Sequence, residues 1–169
     1  MTMKAMTMKI VYLLGTPYCG SSLFALALGT DPHILNLGEV IFMENDAEGG
    51  RCRCSCGVTL RNCPFWAPLL PHYGPGGSGG LVLTEPKTRR LDPLDGSRLG
   101  PRGDTAAYRH KAVRFFETVG AWSGAAVLVD ASKNPRRLRQ LLADPRLDVV
   151  VVRLTRPFWE VAASYRARG

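Results

Sequence analysis

Gly15-Thr16-Pro17-Tyr18-Cys19-Gly20-Ser21-Ser22 sets two glycines at the spacing of a Walker A loop, between an apolar run and a helix-like stretch. These residue types cradle a phosphate: glycine lets the backbone turn several N–H groups toward one point, and the helix that follows adds partial positive charge there. In a loop built for nucleoside triphosphates a lysine follows the second glycine, and here that position is Ser21. A loop with glycines and hydroxyls but without this lysine suggests a different phosphorylated ligand. Two more polar clusters, Asp130 to Lys133 and Arg153 to Arg156, close other apolar runs.

These clusters need a scaffold. Ile10 to Leu14 is short, apolar, partly β-branched and stopped by Gly15, which predicts a buried strand feeding a helix over Ser21 to Leu28. Asp31-Pro32 breaks that helix, and Ile34 to Glu39 reads as an extended segment ending in a carboxylate. Thr105 to Val119 carries an imperfect helical stripe, weakened at Gly120. Ala126 to Asp130 predicts a strand, Asn134 to Leu142 a basic amphipathic helix, and Asp148 to Leu154 a further strand. The last reads as central, because Val149 to Val152 is apolar on both faces. A final helix begins near Pro157. Strand alternating with helix implies an α/β fold: a three-layer, open, mostly parallel sheet of the P-loop NTPase-like kind, with a Gly/Pro-rich and Cys-rich insertion. Ligands of such sheets sit beyond the carboxyl ends of the strands, where all three polar clusters converge.

A chain of 169 residues with 46% hydrophobic content supports one domain, taken as residues 1–169 with a disordered tail at 1–8 and a mobile loop at 71–104. The excess of 22 basic over 14 acidic residues, a net +8, favours anionic ligands. Aromatic residues do not interleave with the arginines and no nucleic-acid-binding signature is present, so nucleic acid is not expected as a partner. Met1 to Lys9 lacks the long apolar core and small-residue cleavage site of a secretory signal, and no apolar window reaches spanning length, so a cytoplasmic protein without a membrane span is the default expectation.

Cys52, Cys54, Cys56 and Cys63 crowd one segment. Structural zinc, disulfides and free thiols compete there, and a cytosolic setting favours metal or free thiols. Cys-x-Cys spacing is tighter than the usual paired ligands of zinc. No metal is assigned to the reaction.

Across most of its length the chain resembles the sulfotransferases that use 3′-phosphoadenosine 5′-phosphosulfate. Gly15 to Leu23 resembles their 5′-phosphosulfate loop, Leu37-Gly38-Glu39 their Gly-Glu segment, and Asp130 to Pro135 the segment bearing a catalytic lysine. The resemblance implies that Gly15, Tyr18, Cys19, Gly20, Ser21 and Ser22 hold the 5′-phosphate, while Arg156 and Ser164 grip the 3′-phosphate. Arg153 is the competing arginine. Lys133 would stabilise the leaving oxygen and Glu39 would act as general base, a role that competes with helix capping or ion pairing. The acceptor would be a small-molecule or carbohydrate hydroxyl or amine. The cysteine segment through Trp66 resembles an insertion in bacterial members.

The sequence departs from the family at Tyr18, where a cation is usual, and at Cys19, where a serine is usual. Losing a cation that stabilises transition-state charge costs on the order of a hundredfold in rate. Family members run further than Gly169, so the chain reads as an N-terminal part. Two other readings stand beside transfer: a P-loop kinase or NTPase with Asp130 as its magnesium acid, and a non-catalytic sulfotransferase-like binding protein.

Overall fold

Short apolar runs become strands, one stopped at Gly15 and another at Asp130, and four such strands pair only in parallel. The computed structural model describes residues 7–43, 53–73 and 105–167. The chain divides into two compact units, Met1–Val40 with Phe116–Gly169, and Ile41–Phe115.

In the first unit β1 (Met8–Gly15), β2 (Ile34–Asn36), β3 (Val127–Asp130) and β4 (Leu147–Leu154) form an all-parallel sheet in the order β2-β3-β1-β4. With α1 (Ser21–Leu28), α4 (Pro135–Leu142) and α5 (Phe158–Arg166) this is an α/β architecture. The connection leaving β1 runs toward β2 and the one leaving β3 returns toward β4. Right-handed crossovers, the rule for parallel sheets, would put α1 and α4 on opposite faces, and the reversal of direction between β1 and β3 is where such sheets take ligands. Ile10, Tyr12, Leu13, Leu128 and Val129 are fully buried, each apolar side chain contributing about 1.5–3 kcal/mol.

The central position expected for Val149 to Val152 is corrected: among the described strands β4 lies at an edge, with Val150 and Val151 45% and 40% exposed. An apolar run specifies a strand, whereas its place in the sheet depends on whether a second strand, distant in sequence, pairs along its other edge. No residue of α5 is buried.

Asn134 caps α4, its side chain accepting from the amides of Arg136 and Arg137, and Pro135 occupies the first turn. At the last helix Pro157 is the cap itself, outside the first turn. The long helix α3 (Thr105–Ser123) passes through Gly120 and ends at Gly124, whose φ of 69° is readily open to glycine. A Cβ at Gly120 would come 2.2 Å from Met8 Cε, so this glycine makes room for a side chain of β1. The division between units falls within α3, between Phe115 and Phe116.

The second unit has little regular structure among its described residues: most of a 3-10 turn at Val40–Phe42, another at Leu60–Asn62, the single helical turn α2 (Leu70–Tyr73) and the first part of α3. Leu60, Cys63, Trp66, Leu69, Tyr108 and Phe115 are buried, with the Trp66 and Phe115 rings stacked 6.5 Å apart. The expected tail at 1–8 and loop at 71–104 lie largely outside the described residues. Met8 already belongs to β1, and 71–73 to α2. No helix among the described residues is long and apolar enough to cross a membrane.

Candidate functional site

The loop leaving β1 is locked by close packing. Gly15 pairs with Leu154 of β4, and a Cβ there would lie 2.7 Å from Cys19 Sγ and 2.8 Å from the Leu154 carbonyl oxygen. Only glycine fits. Cys19 is buried as a small packing residue, and its amide donates to the Thr16 carbonyl at 3.3 Å. Gly20 takes a φ of 89°, and the first helical bond runs from the Phe24 amide to the Gly20 carbonyl at 3.0 Å. The amides of Ser21, Ser22 and Leu23 therefore precede the helical ladder and aim along the positive end of α1. Ser21 is buried and Ser22 exposed.

Arg156, two residues beyond the end of β4, reaches this loop. Its Nη1 donates to the Tyr18 carbonyl at 3.1 Å and to Ser164 Oγ at 3.1 Å, and its Nε pairs with Glu160 Oε2 at 2.7 Å. Ser164 in turn donates to the Glu160 carbonyl at 3.0 Å. The Tyr18 ring meets Tyr165 edge-on at 4.4 Å, a second tie between the loop and α5. The arginine and serine that the sequence pairs thus stand together, whereas Arg153 lies in β4 in register with Leu14.

A second group stands at the ends of β2 and β3. The Leu37 amide extends the β2–β3 pairing by donating to the Val129 carbonyl at 3.0 Å, and Gly38 turns with φ 68°. That turn presents Glu39, whose carboxylate pairs with Lys133 Nζ. Lys133 also donates to the Ala131 carbonyl at 3.2 Å, and its side chain is 12% exposed against 36% for Glu39. Tyr12 of β1 secures the turn, its hydroxyl donating to the Asn134 carbonyl at 2.8 Å and accepting from the Asn134 amide at 3.0 Å.

Among the described residues, Tyr18 (φ 62°) and Lys133 (φ 58°) are the non-glycine positions in the left-handed region. Such a conformation costs on the order of 1–3 kcal/mol and concentrates at functional sites. Both belong to the candidate set.

Asp130 has a structural task. Its Oδ2 accepts from Arg137 Nε at 2.8 Å, its Oδ1 from the Ser132 amide at 2.9 Å, and both side chains of the ion pair are fully buried. The Arg137 guanidinium also lies 5.5 Å from the Phe116 ring centre.

Sequence reasoning missed three contributors. Glu160 had a signal in its i,i+4 spacing from Arg156. Tyr12 had one as a tyrosine inside a buried strand, where its hydroxyl needs a partner. Tyr165 had none.

In the second unit the sulfurs of Cys54, Cys56 and Cys63 lie within 4.8 Å of one another, an arrangement able to hold a metal ion, while Cys52 lies outside the described residues. In comparisons with protein-family models, curated proteins and solved structures, nothing matches this chain.

Proposed function

We propose that the chain binds a 3′,5′-bisphosphorylated adenosine nucleotide at the carboxyl edge of its sheet and transfers a sulfuryl group from 3′-phosphoadenosine 5′-phosphosulfate to a hydroxyl or amine. The observation that carries this reading is the Arg156 nitrogen shared between Ser164 Oγ and the Tyr18 carbonyl. It ties a cation and a hydroxyl, a pair suited to a phosphate, to the glycine loop suited to another. A sheet with β1 inside it and such a loop at its end fits a P-loop-like reading of the fold.

The donor supplies an electrophilic sulfuryl group next to a 5′-phosphate. Ser21, Ser22 and Leu23 offer amides to that phosphate, and the two serines add hydroxyls. Arg156 and Ser164 take the 3′-phosphate. Lys133, little exposed and next to the β3 carboxyl end, places positive charge where the leaving oxygen becomes negative. Glu39 accepts the proton of the attacking hydroxyl once its pairing with Lys133 is exchanged for the acceptor. Transfer is then largely a matter of positioning and charge stabilisation.

The triphosphatase reading is weaker on both of its requirements. Ser21 replaces the lysine, and Asp130, its magnesium acid, is committed to Arg137 inside the core. Binding without transfer draws on Tyr18, which brings a ring against Tyr165 where the family brings a cation.

Calorimetric titration separates these readings. Wild-type chain is expected to prefer adenosine 3′,5′-bisphosphate over ATP with magnesium, with the preference lost in Arg156→Ala. Tight, magnesium-dependent ATP binding would overturn the proposal, and bisphosphate binding without sulfuryl transfer to pooled hydroxyl and amine acceptors would leave the binding protein.

A further inference from the structure

We propose that Cys54, Cys56 and Cys63 bind one zinc ion that staples the surface turn of the second unit to its buried core. Cys63 is fixed from below: it is 2% exposed, its amide donates to the Leu60 carbonyl at 3.2 Å to close the 3-10 turn, and its own carbonyl accepts from the Ala67 amide at 2.8 Å. Cys54 and Cys56 sit on a tight turn, closed by the Cys54 amide to Val58 at 2.8 Å and the Gly57 amide to Cys54 at 2.8 Å. Gly57 turns with φ 87°, Arg53 Nη1 donates to its carbonyl at 2.9 Å, and Arg53 bridges to Thr59 across the turn.

The sulfurs are spaced for a shared cation. Zinc–sulfur bonds of about 2.3 Å in a tetrahedron put sulfurs about 3.8 Å apart. Cys56 and Cys63 stand 3.7 Å apart, and all three sulfurs fall within 4.8 Å. Closing the rest asks for a movement of about 1 Å in the turn. A disulfide needs sulfurs about 2.05 Å apart and would leave one thiol over.

Backbone amides prepare the sulfurs. The Cys56 amide donates to the Cys54 sulfur and the Val58 amide to the Cys56 sulfur, the second-layer contacts that thiolate ligands of a metal use. Burial pushes the Cys54 thiol up, but hydrogen bonds from the Cys56 amide and from the Cys56, Cys63 and Ser55 side chains hold it below the ordinary thiol range. The Cys56 thiol, lowered by Val58, is pushed up overall by the competing Cys54 sulfur and by burial. Three sulfurs gathered this closely can share one dication. A site with three thiolates would carry one net negative charge, and Arg53 lies on the same turn. The described segment 53–73, made of short turns around buried Trp66, gains most from such a staple.

The test is metal content and cobalt spectroscopy on the full chain. Protein expressed with zinc is expected to retain one zinc per chain, and cobalt exchanged into it should give tetrahedral ligand-field bands with sulfur-to-cobalt charge transfer. Cys56→Ser, at an exposed position, should lower zinc affinity by a hundredfold or more while leaving the secondary structure intact. Ser55→Ala should keep the metal. Absence of stoichiometric zinc, retention of it in Cys56→Ser, or a cobalt spectrum without sulfur ligation would each overturn the proposal. These readouts are independent of nucleotide binding.

Discussion

Replacing Glu160 with glutamine should tighten binding of adenosine 3′,5′-bisphosphate. Glu160 holds Arg156 Nε at 2.7 Å, so a phosphate on that arginine must displace or share the guanidinium with a carboxylate. The two side chains are 37% and 46% exposed, which places the pair among surface ion pairs worth about 0.2–1 kcal/mol. A phosphate seated on Arg156 would also stand about 6 Å from the Glu160 charge, a repulsion of about 0.7 kcal/mol per unit charge in water. Together these give about 1–2 kcal/mol, or about 5- to 30-fold in affinity. Glutamine keeps the acceptor oxygen for Nε, so the arginine stays in place. Isothermal titration of both chains at low and moderate salt is the assay, and the gain should shrink as salt rises. Unchanged or weaker binding in Glu160→Gln would refute the placement of a phosphate on Arg156.

Lys133→Ala is expected to lower sulfuryl transfer by about 10²- to 10³-fold, as for removal of a group that meets developing charge. Bisphosphate affinity should move by no more than a few-fold; equal losses in both would make Lys133 a ligand-binding residue only. Asp130→Ala leaves Arg137 charged and buried, and should cost about 3–5 kcal/mol in urea unfolding. A loss below about 1 kcal/mol would show that the pair is not the anchor of the β3–α4 turn.

Much of the sheet was legible, because β1, β3 and α4 are bounded by residues with strong local meaning: Gly15, Asp130 and the Asn134-Pro135 cap. The edge position of β4 was not, since partner choice is a long-range property that four consecutive valines do not encode. Gly120 weakened a helix that in fact continues, because its cost is offset by packing against Met8, distant in sequence. Arg137 reads as one more surface arginine of a basic helix, yet it is buried because Asp130 lies at the facing strand end. Of the site, the glycine loop and the Arg156–Ser164 offset were visible as spacing. The Lys133–Glu39 pairing was not, since it depends on β2 and β3 ending side by side.

We propose that Arg156 and Ser164 recognise a 3′-phosphate. The most direct test is a cycle of titrations with adenosine 3′,5′-bisphosphate and AMP, which differ only in that group, on wild-type chain and Arg156→Ala. Charge-assisted hydrogen bonds of about 1.5–3 kcal/mol give an expected preference of about 10- to 100-fold for the bisphosphate in the wild type, collapsing in the variant. Equal affinity for the two nucleotides, or a preference that survives the loss of Arg156, would contradict the account.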